Sequence, residues 1–286
     1  MLIDMKLLWL VCAALTATVP VQLPKVPGIF TKWTGNHLVD MQGGQTSSVV
    51  FRIYGREGIE IRIVPLLVPG SARVSDFAMN GSGLVAAVGT GARKLFVVVI
   101  PPNGVPNFID TGAYQAAAIA VEKSGDMWTL GKDPRRDTSV LRHWSRDGEL
   151  LEGLLRVTDF ENPLTPVDIG NQLLATGRGL YVFLPRERRV MRIEDAVVVD
   201  DIRGISLPDA FVKGLLAVTD EGAIFASAVG GKANRGAFAV RLDTSARHWV
   251  PTTALDDFVS LYGADGAKLV GRSHRPFDLV FWDAPK

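Results

Sequence analysis

The 286 residues are 47% hydrophobic and 21% charged, and 31 basic side chains against 30 acidic ones leave a formal net charge of +1. That is an ordinary globular composition with ample apolar material for a core, and it excludes a global bias toward nucleic acid or an anionic membrane. Cys12 is the single cysteine, so a chain processed beyond it has no disulfide, no thiolate metal site and no cysteine nucleophile.

Leu7 to Val21 is apolar apart from two threonines, and Lys6 supplies a positive flank. The run is shorter than the roughly twenty residues that span a bilayer and suits the apolar region of a signal peptide. Residues 1–22 are therefore expected to form an export signal, with translation starting at Met1 or at Met5 and cleavage near Ala17. The expected location is periplasmic, secreted or cell-surface, with no transmembrane segment once the signal is removed.

From residue 23 onward, short hydrophobic runs recur and no amphipathic helix appears. Asp76–Met79 leads through Gly83 to Leu84–Val88, and Ala118–Val121 through Gly125 to Met127–Leu130. Leu173–Thr176 leads through Gly179 to Leu180–Phe183, and Leu215–Val218 through Gly222 to Ala223–Ala226. Val259–Tyr262 leads through Gly266 to Lys268–Val270. Each glycine sits where a hairpin turn favours positive φ. A third strand follows each pair, at Val49–Tyr54, Leu95–Ile100, Val140–Trp144, Val190–Ile193, Phe238–Leu242 and Leu279–Trp282. Four of these carry an arginine in the same relative place: Arg52, Arg142, Arg192 and Arg241. A fourth strand comes after a polar turn, as in Ile59–Val64 and Leu150–Leu155.

The unit is a four-stranded antiparallel meander of roughly 41 to 50 residues, the length and content of a propeller blade. Six copies fit, so the expected fold is all-β: a six-bladed β-propeller over residues 23–286, closed by an N-terminal strand. Ile29–Trp33 reads as that strand, paired beside Leu279–Trp282. The stretch Gly125-Asp126-Met127-Trp128, followed by Ser139 to Leu150, and its weaker copies resemble the six-bladed propeller superfamily of the NHL and TolB type. The likeness covers residues 29–284. It implies an architecture and a binding face, and no activity, since fold does not fix function.

Gly81-Ser82-Gly83-Leu84-Val85-Ala86 matches a dinucleotide loop, but Val85–Val88 and Gly89-Thr90-Gly91 are poor for the helix such a loop needs, so it reads as a hairpin turn. No metalloprotease, Walker, EF-hand or nucleophile-elbow motif occurs. His37, His143, His248 and His274 lie singly and read as structural or surface residues.

In a blade, the second-to-third loops and the inter-blade connections share one face of the disc. Those loops hold Arg93, Arg135, Arg188, Arg235 and Arg275, with His274 beside the last. The connections hold Asp76, Asp110, Asp168, Asp209, Asp256 and Asp257. The expected map of this face is an acidic centre within a basic rim, with Glu57, Asp147, Asp195 and Asp220 on the opposite face. The candidate binding residues are Asp76, Asp168, Asp257, His274, Arg135, Arg188, Arg235 and Arg275.

The residues favour a non-enzymatic binding or scaffold module, a monomer with a protein or small-molecule partner and no cofactor. Whether it catalyses anything is left open. The alternative is a calcium-dependent lactonase-like hydrolase with its metal on the axis, held by acids such as Asp76, Asp168 and Asp257. In that reading Glu122, Asn162 and Asn171 are the nearby Glu and Asn ligands. A quinone-dependent sugar oxidase would have to rely on His274 and Arg272.

Overall fold

The computed structural model describes residues 21–22, 30–43, 48–68, 72–91, 94–168, 170–207, 210–230, 237–252, 255, 258–273 and 278–285. The glycine-punctuated runs fold as hairpins and assemble into six four-stranded antiparallel sheets. A short strand, β1 (Val21–Gln22), precedes them. Blade one is β2 (Phe30–Thr34), β3 (His37–Gly43), β4 (Ser48–Tyr54) and β5 (Glu60–Leu67). Blade two is β6 (Ala72–Met79), β7 (Val85–Gly91), β8 (Lys94–Ile100) and β9 (Asn107–Ile109).

Blade three is β10 (Gln115–Val121), β11 (Met127–Lys132), β12 (Leu141–Trp144) and β13 (Leu150–Leu154). Blade four is β14 (Gln172–Thr176), β15 (Gly179–Leu184), β16 (Arg189–Glu194) and β17 (Val197–Ile202). Blade five is β18 (Ala210–Val218), β19 (Ile224–Gly230), β20 (Ala237–Asp243) and β21 (His248–Pro251). Blade six is β22 (Phe258–Asp265), β23 (Lys268–Ser273) and β24 (Asp278–Asp283), with β1 as its fourth strand. This is the expected six-bladed β-propeller. Helix among the described residues amounts to two 3-10 turns, at Val157–Asp159 and Thr165–Val167.

An N-terminal strand closes the ring, but not the one expected. Val21 pairs with Leu279 and Gln22 with Asp278. Phe30–Thr34 instead folds back on His37–Gly43 as the innermost strand of blade one. The reason is the Gly35-Asn36 turn. Both residues have positive φ, +58° and +65°, as a two-residue type I′ hairpin requires. The turn commits Phe30–Thr34 to the strand that follows and leaves closure to β1. Ile29 lies outside the described residues.

The core is six layers, one between each pair of neighbouring blades. Val39, Phe51 and Val64 of blade one meet Phe77, Val85 and Val98 of blade two. Ala86, Val88 and Val97 on the other side of blade two meet Ile119, Met127 and Trp144 of blade three. The sixth layer packs Trp33, Leu38 and Tyr54 against Val270 and Leu279, with the Trp33 and Phe281 rings edge to face at 5.2 Å. The middle strands are thus covered on both faces. Val85 to Gly89 is buried throughout, while β13 and β17 are largely exposed. Period-2 alternation therefore weakens in the middle of each blade, where apolar runs become continuous.

All five turn glycines singled out from sequence have positive φ: Gly83 +84°, Gly125 +99°, Gly179 +106°, Gly222 +85° and Gly266 +61°. A further glycine position recurs in the second strands. A Cβ on Gly131 would lie 2.0 Å from the Gln115 carbonyl oxygen, and one on Gly89 or Gly271 would meet Arg73 or Ser260 nearly as closely. Each faces a bulge in the innermost strand, between Ala116 and Ala118, Val74 and Asp76, or Phe258 and Ser260. A bulge brings two backbones together at a spot only glycine fits.

Two of the turn glycines should respond differently to alanine. At Gly266 the new Cβ has room, with Asp220 at 3.7 Å, so only φ is penalised. At Gly179 it would meet the Ile193 carbonyl oxygen at 2.3 Å as well. Urea denaturation should show Gly266→Ala destabilised by about 1 kcal/mol and Gly179→Ala by distinctly more. Equal losses would mean that the Gly179 turn is placed wrongly.

Candidate functional site

The innermost strands β2, β6, β10, β14, β18 and β22 surround a central cavity of about 520 Å³. Its lining reaches the first-to-second turn of every blade, through Gly35, Asn80, Glu122, Gly177, Asp220 and Gly266. The wall is mixed in character. Lys32, Thr34, Gln172 and Tyr262 alternate with Trp33, Phe77, Met79 and Leu173. The cavity thus reaches the face opposite the one expected from sequence to carry the site.

Asp76 stands on the innermost strand of blade two, β6, and its carboxylate is committed there. It is buried and receives a hydrogen bond from the Lys32 ammonium. Its second oxygen accepts the Ile119 amide at 2.9 Å. Lys32 also donates to the Phe77 carbonyl at 3.0 Å. One carboxylate thereby ties blades one, two and three. Burial pushes the Asp76 carboxyl above its usual range, and Lys32 and the amides of Ile119 and Phe77 offset this only in part.

Asp168 also has a cation of the protein beside it, since Arg186 lies 2.6 Å away. Of the basic rim, Arg135 and Arg188 are exposed in second-to-third loops. Arg188 stands at φ +48°. Arg189, from the same run, is instead buried against Glu187 and paired with Asp201 at 2.7 Å. Burial alone would raise the Asp201 carboxyl, but hydrogen bonds from Arg189 and Arg203 outweigh it and hold the group low. Asp257, His274, Arg235 and Arg275 lie outside the described residues, as do Arg93, Asp209 and Asp256.

The opposite face is not uniformly acidic. Arg56, Arg146, Arg178 and Arg247 stand in its turns beside Glu57, Asp147, Asp195 and Asp220. Arg56 pairs with Asp265 across the junction of blades one and six, and Arg178 donates to the Asp220 carbonyl at 2.6 Å. The expected contrast of sign between faces is therefore muted on this side, because turn arginines bind turn acids and carbonyls of the next blade.

The Gly81-Ser82-Gly83 segment is a hairpin turn, as read from sequence. Buried Asn80 accepts the amides of Ser82 and Leu84 and donates to the Glu122 carbonyl of blade three.

Sequence reading missed what surrounds Glu122. Its carboxylate accepts the Trp128 indole N–H at 2.6 Å, and its other oxygen lies 3.8 Å from His143 Nε2. His143 stacks on Trp128 with ring centroids 4.2 Å apart and planes 2° from parallel. Its Nδ1 meets Glu152 at 3.0 Å. Glu122, Asp126 and His143 each offer a ligand atom within 4.8 Å of the others. The signal available in sequence was the strand repeat itself, which pairs Trp128 with His143 and His143 with Glu152.

The Lys32–Asp76 pair yields a test. Lys32→Met should destabilise by about 3–5 kcal/mol, because it leaves a buried carboxylate without its cation. Without Lys32 the folded carboxyl rises further above 3.8. The native state then holds a proton the unfolded state has released, so the variant's stability relative to wild type should fall as pH climbs through the raised value. Asp76→Asn should show no such slope. A loss for Lys32→Met that is independent of pH between 4 and 8 would contradict the pairing.

No family model matches the chain, and no curated protein matches it. Solved structures do. A streptogramin B lyase structure superposes with TM-score 0.54 at 13% identity, over 94% of this chain and 87% of its own. Virginiamycin B lyase from Staphylococcus aureus does so with TM-score 0.53 at 12% identity, over 93% and 81%. At such identities the likeness bears on the fold alone, and the count of six blades comes from the strand order of this chain.

Proposed function

We propose that this propeller is an exported binding module that takes a small organic ligand in its axial cavity, from the side of the first-to-second turns. The observation that carries the reading is the cavity itself. At about 520 Å³ it falls within the range of small-molecule sites, and its wall joins apolar and aromatic surface to a few polar groups. Thr34 Oγ1 donates to the Met79 carbonyl at 2.7 Å and Gln172 Oε1 accepts the Leu216 amide at 2.6 Å, so both polar groups are held in fixed positions. A preformed wall costs little ordering when a ligand enters.

Binding is favoured over axial metal chemistry because Asp76 and Asp168 each already have a cation of the protein at hydrogen-bonding distance. The activity of the two lyases is not carried over, since the likeness extends to fold. Export rests on the apolar run Leu7–Val21 behind Lys6. Cleavage near Ala17 would leave β1 in the mature chain, able to close the ring. Among the described residues no helix is long and apolar enough to cross a membrane.

Gly81 and Gly177 provide a clean test. Both line the cavity, neither has left-handed φ, and a Cβ on either meets nothing within 4 Å. Gly81→Trp and Gly177→Trp should fold with near wild-type melting temperatures and obstruct the cavity. Compounds found by thermal-shift screening of a polar-aromatic small-molecule library should lose their stabilising effect on both variants. Hits that stabilise both variants as well as wild type would place binding elsewhere.

A further inference from the structure

The Glu122–Asp126 turn of blade three and the neighbouring His143 form a constellation that the axial cavity does not explain. The turn is closed by Glu122 N–H donating to the Asp126 carbonyl at 2.8 Å and Gly125 N–H to the Glu122 carbonyl at 3.0 Å. This brings two carboxylates to one hairpin end. Strand pairing of β11 with β12 then sets His143 beside them.

Each of the three side chains is anchored through one atom. Glu122 Oε1 accepts the Trp128 indole N–H at 2.6 Å, Asp126 Oδ1 accepts the Arg146 amide at 3.2 Å, and His143 Nδ1 meets Glu152 at 3.0 Å. Glu122 Oε2 and His143 Nε2 are left facing each other at 3.8 Å. His143 Nε2 is itself buried and has no hydrogen-bond partner. With the ring proton on Nδ1 for Glu152, Nε2 turns a bare lone pair toward a carboxylate. Burying such a nitrogen without a partner is costly, and a cation between it and the carboxylate removes the cost.

We propose that Glu122, Asp126 and His143 bind a first-row divalent cation of the zinc class. One imidazole and two carboxylates suit such an ion better than calcium, which takes oxygen ligands only. Tetrahedral zinc with bonds of about 2.0–2.2 Å holds its ligand atoms roughly 3.3 Å apart. The three atoms lie within 4.8 Å of one another and would close by up to about 1.5 Å to meet that spacing. Glu152 supplies the carboxylate behind the histidine that orients such ligands and fixes their tautomer. The site lies within a single blade and stands whether or not the axial cavity takes an organic ligand. Glu122 belongs to both, since it also lines the cavity.

The test is calorimetric titration of Zn²⁺ into the untagged, chelator-treated chain, with Co²⁺ absorption as a second readout. Wild type should bind one Zn²⁺ saturably, gain melting temperature with it, and show a Co²⁺ visible band. His143→Gln should weaken binding by about 100-fold and abolish the band, and Glu152→Gln should weaken it by roughly 10- to 100-fold. Glu149→Gln, an exposed acid of the same blade, and His248→Gln should leave both unchanged. Melting curves and circular dichroism identify any variant that fails to fold, in which case Glu122→Gln takes its place. Two results would overturn the proposal. One is equal Zn²⁺ binding by wild type and His143→Gln. The other is no saturable Zn²⁺ binding by wild type.

Discussion

The innermost strand of each blade has a sheet partner on one side only. Its other edge looks onto the axis, where unpaired N–H and C=O groups would be left unsatisfied wherever water is excluded. Here side chains from neighbouring blades occupy those edges. Asp76 of blade two accepts the Ile119 amide of blade three, Gln172 of blade four accepts the Leu216 amide of blade five, and Ser227 Oγ of blade five accepts the Leu261 amide of blade six. Thr34 and Met79 exchange two such bonds between blades one and two. These staples fix the rotation of one blade against the next. The apolar layers supply most of the driving force for burial but are less directional.

That constraint separates scaffold from site near the axis. Asp76 has the residue type of a metal ligand and the position of a staple, and the staple explains all its contacts. Its companion Lys32 keeps the buried charge matched. Gln172 fills the equivalent place in blade four as a neutral amide, with no cation required. The Glu122 cluster is the reverse case. Its atoms are anchored on one side and face each other on the other, so the contacts within the protein do not fully account for it.

Much of the architecture was legible because the repeat is written in glycines. The hairpin glycines from Gly83 to Gly266 mark the blades, and the third strands fall within a residue or two of where the alternation places them. The closing strand was misread because Gly35-Asn36 is a two-residue turn without the longer loop of blades two, three and five, so Phe30–Thr34 looked unpartnered. The staple role of Asp76 was also open to reading: Asp76 and Gln172 stand at the same distance before their turn glycines, Gly83 and Gly179. A position held by Asp in one blade and Gln in another points to a shared hydrogen bond more than to a shared ion. The His143 cluster needed strand register, because Glu122, Asp126, His143 and Glu152 have no ligand spacing along the chain. The cavity's position needed the strand ends, since charge alone drew attention to the opposite loops.

The staples can be examined through the amides they cover. Hydrogen exchange resolved to single residues should find the amides of Ile119, Leu216 and Leu261 as slow as ladder amides of the same strands, since each is held by a side-chain oxygen at 2.6 to 2.9 Å. Asp76→Ala should speed exchange at Ile119 selectively and leave Leu216 and Leu261 protected. Exchange at all three as fast as at the exposed turn amides of Gly81 and Gly177 would show that the axial edges are open to water, and that the blades are held by their apolar layers alone.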